Sequence, residues 1–220
     1  MTHNADRNSI TARVRRLSIA ALVLAAAAHA QSVATPTDIT PPEGNPLYFV
    51  GQAVGTQGYI CLPTAVDAPT ASWTVKPARP EATLFQRFYG QDFQLVTHFL
   101  SPDASPNPDA PSPLPFGSAT WQSSLDSSKV WAQVLNGKSV IAGTDASCPH
   151  AGSIPCLLLQ AIGSQSGTAG GTILSKTTFV QRLNTRGGVA PADGCSVAAD
   201  VGKQVLVPYT ADYHFFRKEK

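Results

Sequence analysis

Histidine is the side chain best suited to proton transfer near neutral pH, and three histidines lie beyond residue 30: His98, His150 and His214. Hydrolysis by a serine would also need an orienting acid and an exposed nucleophile, but no G-x-S-x-G elbow occurs in the sequence. Strand alternation would place Asp212 and His214 on one face. If the fold brought His98, Asp126 and His214 together, these three would be the candidates for a hydrolase or lyase acting on a carbohydrate or ester.

Binding is the second possible kind of chemistry, and its candidates are Trp121, Arg182 and Asn184. Tryptophans stack on sugar rings when they are exposed, although core packing is their usual fate in a β-sandwich. The run "VQRLNTRGGVAPADGC" at residues 180–195 places the arginine and the asparagine before two glycines. An anion-binding loop would need amides at a helix start or a nest, so a turn with positive φ explains the glycines better. The expected partner of Arg182 is a carboxylate inside the sheet.

Metal and nucleotide chemistry find little support in the sequence. Cys148, His150 and Cys156 are the potential metal ligands, but no close-spaced pair of thiolates accompanies them. Glycines cluster in "GSQSGTAGGT" at residues 163–172. That run lacks both the G-x-G-x-x-G fingerprint and the Gly-Lys-Ser/Thr ending of a phosphate loop. We interpret it as a flexible hairpin connection, and we predict neither a metal nor a cofactor.

The four cysteines, Cys61, Cys148, Cys156 and Cys195, are best explained as two disulfides, because the N-terminus predicts export to an oxidising compartment. Three pairings are possible. We favour Cys148 with Cys156, which closes a short loop, and Cys61 with Cys195, which ties the first strands to the last. Chain entropy gives the long loop roughly 5 kcal/mol and the short loop about half of that.

The first thirty residues have the pattern of a signal peptide. A basic start containing Arg13, Arg15 and Arg16 precedes an apolar run over residues 17–28, and "AHA" before Gln31 offers the small residues that a signal peptidase cleaves. No apolar run reaches the roughly 20 residues needed to span a membrane. We therefore expect an exported protein, periplasmic or extracellular, with no membrane span.

Charge argues against two classes of partner. The chain has 16 Lys+Arg against 14 Asp+Glu. The first thirty residues contain four arginines and one aspartate, which leaves 12 basic and 13 acidic residues in the remainder. A nearly neutral remainder has no long-range field to attract nucleic acid or anionic lipid. The expected partner is a small molecule, a glycan or an envelope protein.

The elements that must position these residues are strands. Residues 31–46 are polar and rich in proline, and they predict an extended lead-in. From 47 to 220, short apolar runs bounded by Gly, Pro, Asn or Asp predict a single β domain. Residues 101–115 hold six prolines and predict a solvated insertion loop. Turns about every ten residues favour an all-β fold, an antiparallel β-sandwich or barrel stapled by disulfides.

The segment "IPCLLLQAI" at 154–162 is ambiguous, because a continuous apolar run suits a buried strand or a buried helical turn. In 172–183 neither alternating face is wholly apolar, which predicts a β-bulge or a long two-sided strand. Strands are predicted at 47–50, 58–62, 72–76, 83–89, 93–99, 119–122, 130–135, 140–142, 154–162, 172–183 and 204–216.

The order of several short motifs resembles a known family. The motifs are "GYIC" around Cys61, Trp73, "PEATL", "THF" at His98, "TW" at Trp121, "IPCLLL", "QRLNTRGGVAPADGC" and "PYTADYHFF". On these motifs, from about residue 58 to residue 216, the chain resembles the secreted bacterial and fungal family catalogued as domain of unknown function 3455. The resemblance implies no particular biochemical activity.

Two departures from the family pattern bear on the candidate residues. The family runs from the histidine to the tryptophan through a short Gly-Pro stretch, whereas 22 residues lie between His98 and Trp121 here. A site shared by these two side chains therefore depends on the insertion. The family also places tryptophan where this chain has Cys156, which fits an added local disulfide. Because no nucleophile, metal cluster or nucleotide loop can be assembled, we predict a non-enzymatic binding or envelope-associated module.

Overall fold

The computed structural model describes residues 37–75, 80–101 and 117–219, all within one compact unit. The predicted signal peptide and nearly all of the proline-rich insertion lie outside these residues. Within the described residues no helix is long and apolar enough to cross a membrane. The described residues contain two one-turn 3-10 helices, Thr37–Ile39 and Ala198–Asp200, and nine strands. The strands are β1 (Leu47–Pro63), β2 (Ala71–Thr74), β3 (Glu81–Phe88), β4 (Gln91–Ser101), β5 (Ser118–Ser123), β6 (Lys129–Val140), β7 (Cys156–Gln165), β8 (Thr177–Gly187) and β9 (Gln204–Arg217).

The nine strands form one antiparallel sheet that closes on itself. From β3 to β9 each strand pairs with the next, β3 also pairs with β1, and β9 returns to pair with β1 over most of its length. The result is an eight-stranded barrel, with β2 added beside the end of β1. Closure leaves no open edge in the ring, which removes the main route to edge-to-edge aggregation. The expectation of an all-β antiparallel fold is confirmed, with a barrel as its form.

The length of β1 makes this closure possible. Its 17 residues present one edge to β9, while the other edge is shared by β3 over Gln52–Thr56 and by β2 over Ile60–Pro63. The sequence predicted two strands here, at 47–50 and 58–62, because Gly51, Gly55 and Gly58 interrupt the apolar pattern. At Gly55 an added Cβ would lie 2.0 Å from the Glu81 carbonyl oxygen. The glycine therefore permits close approach of β3 rather than ending the strand.

Side chains alternate between the inside and the outside of the barrel, as the two-residue period of strands requires. In β9, Tyr209, Ala211, Tyr213 and Phe215 face the interior core. The same alternation fills the core from the other strands with buried residues. They include Ala53, Ala82, Leu84, Val96, Trp121, Val130, Ala132, Leu157, Leu159 and Val180.

The outer face of β6, β7 and β8 is covered by the segment before β1. Ile39 is fully buried there against Leu158 and Leu183, and the Gln181 side chain donates from Nε2 to the Ile39 carbonyl at 2.6 Å. The sequence predicted an extended lead-in over 31–46. Its described part instead begins with the 3-10 turn Thr37–Ile39, because this turn presents the isoleucine to an apolar patch that would otherwise face water.

Two further differences concern strand boundaries. The strand predicted at 130–135 continues as β6 to Val140, and its pairing with β7 shifts register between Val134 and Ser139. Of the run predicted at 140–142, only the first residue lies in a strand. The strand predicted to start at residue 172 starts at Thr177, and its pairing with β9 is irregular at two places. The prediction for this stretch was a β-bulge or a long two-sided strand, and the structure shows shifts of register between Thr177 and Phe179 and between Leu183 and Arg186. The ambiguous "IPCLLLQAI" segment contains the start of β7, a strand.

Two disulfides fasten the barrel, Cys61 with Cys195 and Cys148 with Cys156, the pairs favoured from the sequence. The first joins β1 to the long β8–β9 connection. The same connection is held to β2 by Trp73, which donates from Nε1 to the Asp193 carbonyl at 3.1 Å and packs against the disulfide. The "RGGVAPADGC" stretch therefore ends a strand and returns Cys195 to β1, and Gly187 and Gly188 have the positive φ values, 72° and 79°, expected of that turn.

Candidate functional site

One end of the barrel contains a cavity of about 350 Å³. It lies where β4 ends and β5 begins, and most of its wall is apolar. Its volume is at the lower end of the range typical of small-molecule sites, and eight strands are enough for a closed barrel to hold one small ligand. The polar side chains in its wall come from β1, β4, β5, β8 and β9. The lining residues are Gln57, Tyr59, Val75, Pro80, His98, Ala119, Trp121, Val134, Ile154, Pro155, Leu157, Leu159, Arg182 and Tyr213.

His98 and Trp121 meet in this cavity despite the insertion between them. They are directly paired across β4 and β5, and their rings stack with centroids 4.3 Å apart and planes 6° from parallel. Tyr213 closes the group, with its ring centroid 5.6 Å from His98 and 5.7 Å from Trp121. The strands on either side of residues 102–116 therefore position the two side chains.

The His98 ring is held in one neutral form. Its Nδ1 lies 2.9 Å from the Thr120 carbonyl oxygen, which only accepts, so Nδ1 carries the proton. Burial lowers the pKa of His98 from 6.5 to about 4, against the opposing effect of the Thr120 hydrogen bond and with help from the positive charge of Arg182. At neutral pH the imidazole is therefore uncharged, and its Nε2 is an acceptor without a partner among the described residues.

Arg182 is the charged side chain among those lining the cavity. Its Nε and Nη2 donate to the Pro155 carbonyl, at 3.3 and 2.9 Å. The expectation that Arg182 pairs with a carboxylate inside the sheet was wrong, because the backbone carbonyl of Pro155 accepts its hydrogen bonds instead. A carbonyl orients the guanidinium without cancelling its charge. The remaining nitrogen, Nη1, has no partner in the described part of the chain.

The other polar groups of the cavity wall differ in whether they already form hydrogen bonds within the protein. Tyr59 donates its hydroxyl to the Gly188 carbonyl at 2.6 Å, and the Tyr213 and Tyr209 hydroxyls bond to each other at 3.1 Å. Trp121 is different, because its Nε1 is buried without a hydrogen-bond partner among the described residues. An unpaired buried donor costs about 1–3 kcal/mol. Less than 1 Å² of this nitrogen is accessible, so the donor does not face the open cavity.

The remaining binding candidate, Asn184, lies outside the cavity lining. Its Oδ1 accepts from His150 Nε2 at 3.1 Å, and its Nδ2 donates to Asp212 Oδ2 at 3.1 Å. Its backbone has a φ of 49°, and its amide donates to the Ser147 carbonyl at 2.8 Å. Asparagine tolerates this left-handed conformation better than most residues. Asn184 therefore fastens the loop of the short disulfide to the last two strands.

The three catalytic candidates are not brought together. His98 faces the inside of the barrel, whereas His214 lies between Val50 and Gln181 on the outside. Burial lowers the pKa of His214, and nearby Asp212 partly opposes that effect. Asp126 follows β5, at the end of the barrel opposite the cavity. No hydrogen bond joins any two of these three residues in the described structure.

Asp126 has a structural role that its position explains. Its Oδ1 accepts from the Ser128 amide at 3.1 Å and from the Ser128 hydroxyl at 2.7 Å, and its Oδ2 accepts from the Ile173 amide at 2.9 Å. Burial alone would raise the pKa of Asp126, but these bonds together hold it below its ordinary value. The carboxylate thus ties the β5–β6 turn to the β7–β8 connection.

The glycine-rich run in that connection makes room for Asp126. A Cβ on Gly167 would lie 1.6 Å from the Asp126 carbonyl oxygen, and one on Gly171 would lie 2.4 Å from its Oδ2. Side chains at these positions are therefore excluded by backbone and carboxylate alike. The run interpreted as a hairpin connection does lie between the antiparallel strands β7 and β8, and its glycines leave room for the β5–β6 turn.

Replacing Asp126 by alanine is expected to lower the free energy of unfolding by about 1–2 kcal/mol, because charge-assisted hydrogen bonds are lost from a partly solvated carboxylate. Urea denaturation measures this change. Asp92→Ala is the matched control, since Asp92 pairs with Arg87 on the surface and such exposed pairs contribute little. An unchanged stability in Asp126→Ala would contradict the assigned role.

Several cavity residues were not singled out from the sequence, namely Gln57, Tyr59 and Tyr213. Tyr59 and Tyr213 do belong to the motifs "GYIC" and "TADYHFF", and strand alternation was the signal that separates Tyr213 from the outward-facing Asp212. The possible tryptophan platform is absent, since Trp121 and Trp131 are each 1 % exposed and Trp73 packs on a disulfide. Among the residues described, no three His, Cys, Asp or Glu side chains converge on a possible metal position.

Fold and site together define a class of protein: a closed antiparallel barrel whose one end holds an apolar cavity with a few polar groups. The chain belongs to the family described as "Protein of unknown function (DUF3455)", which matches residues 42–217. The resemblance drawn from the sequence motifs is thereby confirmed. No curated protein and no solved structure matches the chain.

Proposed function

We propose that this protein is an exported, non-enzymatic binding module that takes up a small, predominantly apolar molecule in the barrel cavity. The observation that carries the proposal is the cavity of about 350 Å³ with its mostly apolar wall. Burying apolar surface of a ligand against such a wall makes binding more favourable. The few polar groups, such as those of His98 and Arg182, would orient the ligand.

Export is part of this proposal and has its own support. The signal-like pattern over residues 1–30 belongs to a secreted chain. Both disulfides fit an oxidising compartment, because thiols stay reduced in the cytosol of most organisms. The ligand would therefore be met in the periplasm or outside the cell.

The alternative, a hydrolase or lyase, has less support. A general base must reach the proton that it removes and have a pKa near the working pH. His98 is separated from Asp126 and His214, and its lowered pKa makes it a weak base at neutral pH. The described cavity wall contains no carboxylate and no activated nucleophile.

The test is a thermal-shift screen of the folded protein against small aromatic and aliphatic compounds. A ligand at 100 times its Kd should raise Tm by about 5–10 °C, since it stabilises the folded state by about 2.7 kcal/mol. The Val134→Trp variant should lose that shift, because Val134 lies at the cavity mouth and is 50 % exposed. A bulky ring there narrows the entrance.

Val54→Trp is the matched control, since Val54 is another strand valine, 58 % exposed, that does not line the cavity. It should keep the shift. If no compound raises Tm, or if Val134→Trp and Val54→Trp behave alike, the cavity is not the binding site.

A further inference from the structure

We propose that the ligand of this cavity is an apolar monoanion, a carboxylic acid in its ionised form, held by Arg182 with its apolar body against the ring of Trp121. This inference rests on the proposed function and names its ligand class. It depends on the charge of Arg182, which no carboxylate among the described lining residues neutralises, and on the mostly apolar wall around it.

Arg182 supplies the charge. The guanidinium is permanently protonated, and its neighbours in the wall are Tyr59, His98 and Tyr213 rather than carboxylates. Its effect extends over the cavity, because its charge contributes to lowering the pKa of His98 and opposes the rise that burial causes in the pKa of Tyr59. A single positive charge in an apolar enclosure favours one negative charge. A dianion would leave one charge unpaired at high cost.

Trp121 supplies a reporter for occupation of the cavity. It is one of the lining residues, and its Nε1 is buried without a partner among the described residues. Less than 1 Å² of that nitrogen is accessible, so a ligand would contact the ring rather than the N–H. Trp131 is equally buried and also unpaired, but it does not line the cavity. The two tryptophans therefore form a matched pair for experiment.

The neutral state of His98 fits the same ligand. A second cation in the wall would attract a dianion or an acidic peptide. His98 instead contributes an uncharged ring, stacked on Trp121, that limits the positive charge at this end of the barrel to Arg182 among the described lining residues. The stacked ring also fixes the plane of the indole in the cavity wall.

The experiment compares two probes with the same hydrocarbon body, 3-phenylpropanoate and its neutral isostere 3-phenylpropanamide, by calorimetric titration of the folded protein at pH 7.5. The acid should bind about 30-fold more tightly than the amide. Arg182→Met should remove that preference by weakening the acid about 30-fold or more, with the amide little changed. Arg186→Met, four residues along the same strand with an exposed side chain, should leave both affinities unchanged.

A second readout is spectroscopic. In protein labelled with ¹⁵N at tryptophan, the acid should shift the Nε1–H resonance that disappears in Trp121→Phe, because the ligand lies against that indole ring. The resonance that disappears in Trp131→Phe should stay in place. Trp131→Phe should also keep the affinity for the acid, because Trp131 does not line the cavity.

The outcomes separate the two proposals. If the amide binds as tightly as the acid, or if Arg182→Met keeps the acid's affinity, the cavity binds small molecules but the assigned ligand class is wrong. If neither probe binds and the thermal-shift screen also finds no ligand, both proposals fall. Binding of the acid with no change at the Trp121 resonance would place the ligand outside this cavity and overturn the inference.

Discussion

Replacing Cys61 and Cys195 together by alanine is expected to lower the free energy of unfolding by about 5 kcal/mol. The two residues are 134 positions apart, so the bond removes a large amount of chain entropy from the unfolded state. The disulfide is also packed against Ala71 and Trp73, and that contact would be weakened. The free energy of unfolding of a typical domain is only about 5–15 kcal/mol, so loss of this disulfide would remove a large part of it.

Urea denaturation followed by tryptophan fluorescence measures the change. The double variant Cys148→Ala with Cys156→Ala is the control, because its loop spans 8 positions and chain entropy predicts about half the effect. If the short-loop variant were the less stable of the two, the Cys61–Cys195 disulfide would not be the one that contributes more to stability. If the Cys61/Cys195 variant does not fold, urea denaturation of the intact protein with and without a reductant provides the comparison.

The protein is expected to lose about 3 kcal/mol of stability as the pH falls from 6.5 to 4, through His98 alone. In the unfolded chain this histidine takes up a proton near its ordinary pKa of 6.5, whereas burial lowers its pKa in the folded protein to about 4. Between these values the unfolded state binds more protons, so acid favours unfolding. Above pH 6.5 both states are neutral at this position and the effect vanishes.

The variant His98→Phe isolates this contribution, since phenylalanine keeps a ring beside Trp121 but cannot take a proton. The variant will have a different stability at every pH, because the Thr120 carbonyl loses its donor, so the comparison uses the slope against pH. That slope should flatten between pH 6.5 and 4. His214→Gln is the control: its pKa is also lowered by burial, partly against Asp212, and most of the slope should remain when it is removed. An unchanged slope in His98→Phe would show that His98 is protonated in the folded state at mildly acidic pH.

The carboxylates with lowered pKa values affect stability at lower pH, so they contribute little to the slope between pH 6.5 and 4. Hydrogen bonds lower the pKa of Asp145 and Asp126, and Lys203 with two backbone amides lowers that of Asp200 to about 2. Their contribution is present above the ordinary pKa of 3.8 and is lost as the pH falls below it. The region between pH 6.5 and 4 therefore belongs mainly to the buried histidines.

The local character of the fold was readable from the sequence. Alternation in "TADYHFF" separates Tyr213 from Asp212 and His214, and the structure keeps that separation. Short apolar runs marked the strands because a half-buried strand needs apolar residues at every second position. The favoured cysteine pairing followed from loop lengths and from the position of the cysteines near the ends of the domain.

The pairing of distant strands was not readable in the same way. Gly55 looks like a strand break in one dimension, and only the approach of β3 shows why no side chain fits there. The partner of Arg182 is a backbone carbonyl, and a carbonyl has no sequence signature. His98 and Trp121 were both noticed, but their contact depends on the register of β4 against β5 across a segment that separates them by 22 residues.

Because the first and last strands close the barrel, the fold cannot be completed until synthesis of the chain is nearly finished. Val50 in β1 is paired with His214 in β9, so the ring cannot form until nearly the whole chain is available. At a synthesis rate of about 5–20 residues per second, the interval between these two residues lasts about 8–30 s. Pairing of such distant segments is also intrinsically slow. For that period β1 lacks its longest partner, and the part of the cavity wall that β9 supplies through Tyr213 is missing.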